Sequence, residues 1–305
     1  MIYTLTLNPA LDHIVRLEKI EAGETNRMDA ESVSAGGKGI NVSKILKNLG
    51  ERSIALGYIA GFTGKEIERV LRDEDKILSD FILVKEGFTR INTKIKADVE
   101  TEINGPGLTI NEADRQELIN KLEDVKNGDY LFLSGSIPDS LGNGFYAEIM
   151  ELLKDKEVAI AVDTTGEALK LSLPYGPTLV KPNLRELEDF FGVTIEDPQQ
   201  IEHYSKELQK MGAKNIIISM GGDGAYFLSS QGDGLFLAAP KGEVIDTVGS
   251  GDSMVAGFMY GLKNQYSPIE AFKLGVSCGS ATAFSENLGT KDEIMAIYNK
   301  LKEGV

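Results

Sequence analysis

The sequence is poor in the residues that staple a chain or hold a transition metal. Its 305 residues contain one cysteine, Cys278, and two histidines, His13 and His203. A single cysteine excludes an internal disulfide and a Cys-cluster metal site. Two histidines without partners at ligand spacing leave no basis for a zinc site or a histidine-based triad. No apolar stretch approaches the ~18 residues that a membrane-spanning helix needs. The opening residues Met1-Ile2-Tyr3-Thr4-Leu5-Thr6-Leu7-Asn8 lack the positive region of a signal peptide and read as a first strand. With no targeting segment, a cytoplasmic protein is expected. Basic residues are also scarce, 32 against 47 acidic, for a net charge of −15. That balance argues against a nucleic-acid surface and against an anionic membrane surface. It makes any local cluster of cations informative. The one Gly-x-Ser-x-Gly, Gly275-Val276-Ser277-Cys278-Gly279, falls inside the helical pattern of 268–285 and not on a strand-to-helix turn, so an α/β-hydrolase would lack its nucleophile elbow.

What is present is the composition of a soluble globular protein, 42% hydrophobic and 26% charged. Disorder, collagen-like repeats and coiled coil are excluded. The length suits one large domain or two, and no internal repeat or low-complexity linker divides it. Strand-length apolar runs fall at residues 2–7, 53–59, 81–85, 130–134, 158–163, 178–180 and 215–219. Helical patterns lie between them at 38–49, 64–73, 112–126, 145–153, 183–191 and 199–211. In the first, Val42, Ile45, Leu46 and Leu49 repeat at helical spacing and Gly50 ends the run. Near-continuous apolar strands alternating with helices predict an α/β fold, a parallel sheet covered on both faces with right-handed crossovers. Short strands at 225–228, 235–238 and 244–246 and helices near 252–262, 268–285 and 291–302 complete the chain.

Residues 11–35 and 88–104 break this rhythm, alternating polar with apolar and carrying no helix. From Arg90, period two puts Arg90, Asn92, Lys94 and Lys96 on one face and Ile91, Thr93, Ile95 and Ala97 on the other. These segments predict a small β-sheet inserted into an α/β domain made of residues 1–10, 36–87 and 105–305.

Four motifs could carry chemistry. Asp246-Thr247-Val248-Gly249-Ser250-Gly251-Asp252-Ser253 leads into a helix marked by Met254, Val255, Phe258, Met259 and Leu262. Gly249 and Gly251 permit backbone conformations that let consecutive N–H groups converge on an anion at the helix N-terminus. Phosphoryl transfer needs such donors, and a carboxylate, here Asp252, to take the attacking hydroxyl's proton. Spacing alone suits an ordinary N-cap at Asp252 equally well. Gly36-Gly37-Lys38-Gly39-Ile40-Asn41 is a second glycine-rich helix entry. It is not a Walker A loop, because no Ser or Thr follows Lys38. Lys38 could meet a phosphate, with Asn41 one turn on, or the segment is a tight turn with a solvated lysine. In Lys181-Pro182-Asn183-Leu184-Arg185-Glu186, Asn183 and Glu186 share a helix face. They could organise a hydrated Mg²⁺ or simply cap the helix. Asn8-Pro9-Ala10-Leu11-Asp12 follows the first strand, where an open α/β sheet binds ligands, and Asp12 could accept sugar hydroxyls. Ser134-Gly135-Ser136-Ile137-Pro138 and Ser219-Met220-Gly221-Gly222-Asp223-Gly224 also follow strands.

In this order and separation the motifs resemble the PfkB-type, ribokinase-like carbohydrate kinases, over essentially the whole chain. Within that family, Asn8–Asp12 and Thr89-Arg90-Ile91-Asn92-Thr93-Lys94-Ile95 look most like members acting on ketohexose phosphates. The resemblance implies a ribokinase-like α/β domain with a β-sheet lid, ATP and Mg²⁺, and no nucleic-acid or membrane partner. It makes Asp252 the general base, with the backbone of Gly249, Ser250 and Gly251 as the anion hole. Asp12, Gly36, Gly37, Asn41, Asn92 and Ser136 would hold the sugar, and Arg27, Lys38 and Arg90 its phosphate. ATP would lie against Lys181, Asn183, Ser219, Gly221, Gly222, Gly224, Ser250 and Asn287, with Asn183 and Glu186 organising Mg²⁺. The expected reaction is ATP-dependent phosphorylation of fructose 1-phosphate at its C6 hydroxyl. Tagatose 6-phosphate and fructose 6-phosphate are the alternatives within the class. A non-catalytic nucleotide- and sugar-binding regulator is the alternative outside it, and it would have no need of Asp252. A dinucleotide-dependent dehydrogenase would want Gly-x-Gly-x-x-Gly where Asn8–Asp12 stands. The lid's apolar face, with Ile91, Thr93 and Ile95, could pack on a second subunit as a homodimer or on the main domain.

Overall fold

The computed structural model describes residues 1–304. The chain enters through β1 (Ile2–Thr6) and leaves for a hairpin of β2 (Ala10–Arg16) and β3 (Ala30–Gly36). It returns through α1 (Lys38–Asn48), β4 (Ile54–Ala60), α2 (Gly61–Arg69), β5 (Leu78–Ser79) and β6 (Ile82–Val84). A second excursion gives β7 (Ile91–Lys96) and β8 (Thr101–Asn104). The alternating part follows: α3 (Glu112–Glu123), β9 (Tyr130–Ser134), α4 (Phe145–Leu152), β10 (Ala159–Asp163), α5 (Gly166–Ser172), β11 (Leu179–Val180), α6 (Leu184–Phe191), α7 (Pro198–Lys210) and β12 (Asn215–Ser219). Strands β13 (Ala225–Leu228) and β14 (Gly234–Leu237) precede α8 (Ser250–Lys263), α9 (Pro268–Ala283) and α10 (Lys291–Glu303).

The large sheet has the order β14-β13-β12-β11-β10-β9-β1-β4-β5, with β6 also beside β4. It is parallel except where β13 and β14 extend it antiparallel. Its central strands are buried along almost their whole length, as strands with both faces covered must be. One face packs Leu118, Ile149, Leu187 and Leu208 from α3, α4, α6 and α7. The other packs Val42, Phe258, Phe272 and Tyr298 from α1, α8, α9 and α10. This is the ribokinase-like α/β layering that the sequence predicts.

The small sheet has the order β3-β2-β7-β8 and draws on the two aberrant segments, reaching one residue beyond the first at each end, to Ala10 and Gly36. Its β2–β7 pair is parallel and sets Asp12 beside Asn92 and Ile14 beside Lys94. Asp12, Asn92 and Lys94 are buried on the face turned to the large domain. On the opposite face Val33 and Ile103 are exposed.

Three local readings need correction. Residues 244–246 form no strand. Their β-branched side chains suggest one, but Val244 and Ile245 are exposed, and the amides of Ile245 and Asp246 donate to the Ala283 carbonyl at the end of α9. Helix α5 fills a stretch between residues 163 and 178 that shows no strong periodicity. The second helix starts earlier than expected, at Gly61, and ends in a π turn over Val70–Glu74.

One glycine fixes how β1 meets β4. Gly57 has φ +146°, and a Cβ there would sit 2.0 Å from the Thr6 carbonyl oxygen. Gly57→Ala should therefore cost about 3 kcal/mol or more through strain and overpacking. Thermal unfolding should show a Tm at least ~5 °C lower; an unchanged Tm would mean the two strands separate at no cost.

Candidate active site

Parallel strands deliver their following loops to one edge, and the predicted motifs meet there. A cleft of about 480 Å³ is lined by Asn8, Asp12, Gly37, Lys38, Asn41, Arg90, Asn92, Ser136, Glu186, Gly249 and Asp252, among others. A second, of about 510 Å³, is lined by Ser219, Gly221, Gly222, Gly224, Ser250 and Gly251, with an apolar floor including Met254 and Val276. The Gly249–Gly251 turn is the wall between the two.

That turn is built to face an anion. Gly249 is the N-cap of α8, in the left-handed region at φ +79°, and no side chain caps the helix. The first-turn amides thus carry the positive end of the helix dipole toward the junction of the clefts. Asp252 is not the N-cap. It lies inside the first turn, is buried, and accepts a hydrogen bond from Asn41 Nδ2 at 2.8 Å. Burial pushes its carboxyl up to about 6, and the nearby Asp163 carboxylate adds to the rise, against Lys38, the Asn41 bond and Lys181. A carboxyl so poised can gain and lose a proton near neutral pH.

Asp163, which the sequence analysis did not select, organises the cations beneath the turn. It ends β10, is almost wholly buried, and lies 3.1 Å from Lys38 Nζ and 3.9 Å from Lys181 Nζ. Burial opposes its charge, but the two ammonium groups outweigh burial and hold it below the usual carboxylate range. Lys38 is correspondingly held protonated: burial lowers its affinity for the proton, and Asp163, Asp252 and Glu186 more than restore it. Lys181 passes under the turn, its Nζ 3.0 Å from where a Cβ on Gly251 would lie.

On the lid side, Asp12 accepts from Asn92 Nδ2 at 3.2 Å and pairs with Lys94 Nζ at 3.2 Å. Gly36 gives Asp12 its room, since a Cβ there would stand 2.3 Å from Asp12 Oδ2. Arg90 spans the crossing between the sheets, donating to the carbonyls of Asn8 at 2.9 Å and Gly105 at 3.3 Å. It has no carboxylate partner, its Nε is buried without a partner, and burial lowers its affinity for the proton. Thr6 Oγ1 and Ser134 Oγ, lining the same cleft, are also buried without a hydrogen-bond partner. Ser136 accepts a bond from Asn8 Nδ2 at 3.3 Å. Period two put Lys94 on the face of Arg90 and Asn92, but nothing in the sequence assigned it a role in the site.

Asn183 and Glu186 form a reciprocal capping box on α6. Asn183 Oδ1 accepts from the Glu186 amide and Glu186 Oε2 from the Asn183 amide, each at 2.8 Å. Glu186 still borders the first cleft. Among the described residues no group of three or more His, Cys, Asp or Glu could hold a metal by itself. The donor set therefore suits Mg²⁺ held largely by phosphate oxygens and water, which is that ion's habit. Of the other candidates, Gly36, Lys181 and Asn183 line neither cleft but abut Asp12, Gly251 and Glu186, which do; two more stand apart. Arg27 is exposed in the β2–β3 connection and lines neither cleft. Asn287 lines a separate hollow behind Asp12 with Lys44 and Asp246, not the cleft of Ser219–Gly224.

The turn and its carboxylate together can deprotonate an alcohol while neutralising the phosphoryl group it attacks. That is the work of a phosphotransferase with an alcohol acceptor. The profile of the pfkB family carbohydrate kinases matches residues 5–295, and the chain belongs to that family. It is 43% identical over 302 residues to a 1-phosphofructokinase of Bacillus subtilis, covering 99% of each chain. It is 39% identical to a D-tagatose-1-phosphate kinase of Bacillus licheniformis, covering 95% of this chain and 94% of the other. The crystal structure of Escherichia coli phosphofructokinase-2 in complex with fructose-6-phosphate superimposes with a TM-score of 0.92 at 28% identity, covering 99% of both. Membership in a family of kinases sets aside the non-catalytic reading. No helix of the described residues is long and apolar enough to cross a membrane.

Proposed function

We propose that the chain transfers the γ-phosphoryl group of ATP to the C6 hydroxyl of D-fructose 1-phosphate, giving fructose 1,6-bisphosphate and ADP. The observation that carries this reading is the buried Asp252 carboxyl beside an uncapped helix N-terminus, at the wall between two clefts. One cleft is rich in polar groups and suits a sugar phosphate. The other has an apolar floor and a glycine-rich rim and suits a nucleotide. Two named relatives, 1-phosphofructokinase and D-tagatose-1-phosphate kinase, both carry a 1-phosphate in their names. That favours a C1 phosphate over tagatose 6-phosphate or fructose 6-phosphate.

In this mechanism Asp12, Asn41 and Asn92 orient the sugar so that its hydroxyl reaches Asp252. Asp252 takes the proton as the oxygen attacks. The amides of the 249–251 turn, with Lys181 and with Lys38 held charged by Asp163, neutralise the transferring group. Mg²⁺, bound through the triphosphate and water near Glu186 and Asn183, would supply further charge neutralisation. Arg90 takes the substrate's own phosphate, because it is the cleft's one cation without a carboxylate partner. The small sheet acts as a lid that keeps water from the γ-phosphoryl group. A second copy of the chain covers the lid's outer face, where Val33 and Ile103 are exposed; sedimentation should show a dimer, and a monomer at micromolar concentration would reject it.

The reading is tested by ATP consumption with Mg²⁺ on fructose 1-phosphate, tagatose 1- and 6-phosphate, fructose 6-phosphate and fructose. The highest kcat/KM should fall on fructose 1-phosphate; preference for a 6-phosphate, or no turnover, would overturn it. Asp252→Asn should leave ATP affinity within about twofold and lower kcat by roughly 10²–10⁴. Since the base must be unprotonated, wild-type kcat/KM should fall about tenfold per pH unit below about 6. Asp163→Asn removes one cause of the rise and should move that limb to lower pH. An unmoved limb would show that Asp163 does not act on the base. Arg90→Ala should raise KM for the phosphosugar roughly ten- to hundredfold, the scale of a charged hydrogen bond, with little change for ATP. Equal effects on both substrates would indicate a general lid defect instead.

A further inference from the structure

The small sheet shares no ladder with the large one, so side chains must decide where it sits over the cleft. Among the described residues, a single ion pair joins residues 11–35 and 88–104 to the rest of the chain. Lys96 Nζ donates to Asp246 Oδ2 at 2.5 Å. Every other ion pair of those segments stays inside them: His13 with Glu31, Lys19 with Glu21, Lys94 with Asp12, and Lys96 more distantly with Glu100.

Its position gives it leverage. Arg90 is fixed at the hinge by the carbonyls of Asn8 and Gly105. Lys96 lies on the same strand face, about 20 Å further along at the rise of an extended chain. A strand held at the hinge alone could swing, and a second tie near its far end fixes the angle. Both partners are largely withdrawn from solvent, Lys96 at 19% and Asp246 at 21% side-chain exposure. The pair is therefore less screened than a surface ion pair.

The other end of the pair leads into the anion-binding turn. Asp246 Oδ1 accepts from the Val248 amide at 3.0 Å, so one carboxylate grips the lid with one oxygen and the approach to Gly249 with the other. We propose that Lys96 and Asp246 are positioning residues for phosphoryl transfer, a latch that holds the lid closed while setting the turn that receives the phosphoryl group. Neither touches the reacting atoms. The inference rests on the kinase reading given above. It explains why the lid's last inward lysine is not spent on the substrate.

The test is a double-mutant cycle on the full chain, read by kinetics and by hydrogen exchange. Lys96→Met keeps length and removes the charge; Asp246→Asn keeps an acceptor for the Val248 amide and removes the charge. Each should lower kcat/KM for fructose 1-phosphate about tenfold, as loss of a charged hydrogen bond does, while KM for ATP stays within about twofold. The double variant should fall no further than either single one. Lys96→Arg should recover activity to within about threefold of wild type. In hydrogen exchange with no substrate added, amides of β7 and β8 should exchange several-fold faster in each variant than in wild type. Additive losses, failure of the Arg variant to recover, or unchanged exchange in β7 and β8 would overturn the latch. If wild type phosphorylates no sugar phosphate, the kinase reading has failed. The exchange comparison needs no turnover and then decides the latch alone.

Discussion

Asp163 is the constraint on which the site depends. A carboxylate this deeply buried persists only if cations meet it, and it holds Lys38 protonated in turn. Lys38 arrives from the start of α1 and Lys181 from the end of β11, and both meet Asp163 beneath the Gly249–Gly251 turn. Their shared anion fixes both ammonium groups beside the turn that separates the clefts. It also raises the proton affinity of Asp252. One buried charge thus holds two ammonium groups in place and raises the proton affinity of Asp252, and on the proposed reading these two effects serve phosphoryl transfer to an alcohol.

The large sheet makes this meeting possible. Because its central strands are parallel, β1, β9, β10 and β12 all discharge their loops at the same edge. Residues as far apart as Asn41 and Asp252 then come within hydrogen-bonding distance. The close packing of Gly57 against the Thr6 carbonyl keeps β1 in register with β4, and the Asn8–Asp12 segment leaves from the end of β1. Stability of the strand pair and placement of Asp12 are therefore parts of one arrangement.

Much of this was legible locally. The glycine-rich entries to α1 and α8, the capping spacing of Asn183 and Glu186 and the alternation from Arg90 to Lys96 each follow from a short-range rule. Period two already placed Arg90, Asn92 and Lys94 on one face. What the sequence hid was pairing across distance. Nothing near Asp163 announces that its partners lie 125 residues before it and at the next strand. Spacing could not tell whether Asp252 capped its helix or stood inside it, because the answer lies in the conformation of Gly249 and the position of Asn41. Composition misled at residues 244–246, where β-branched residues had no neighbouring strand to join and the backbone bonded to the end of α9 instead. The family pattern alone grouped Asn287 with the nucleotide cleft and Arg27 with the substrate. The first lies on another hollow and the second in solvent.

The charge economy of the cleft bears on how it selects an anion in a protein of net charge −15. Lys38, Arg90 and Lys94 line the sugar-side cleft, but so do Asp12, Glu102, Glu186 and Asp252. The cleft is therefore not a basin of positive potential, and long-range attraction would not fill it with phosphates indiscriminately. Recognition must come from direction. Lys38 and Lys94 are already satisfied by Asp163 and Asp12, whereas Arg90 offers a planar guanidinium with no carboxylate across from it. The unpartnered hydroxyls of Thr6 and Ser134 are buried in the wall of the same cleft. Groups left unsatisfied in a buried setting are costly to the fold. A ligand phosphate that meets the Arg90 guanidinium gives that charge the anion it lacks, and an analogue without the phosphate does not. On the proposed reading, preference for a phosphorylated over an unphosphorylated sugar would come from this one uncompensated guanidinium.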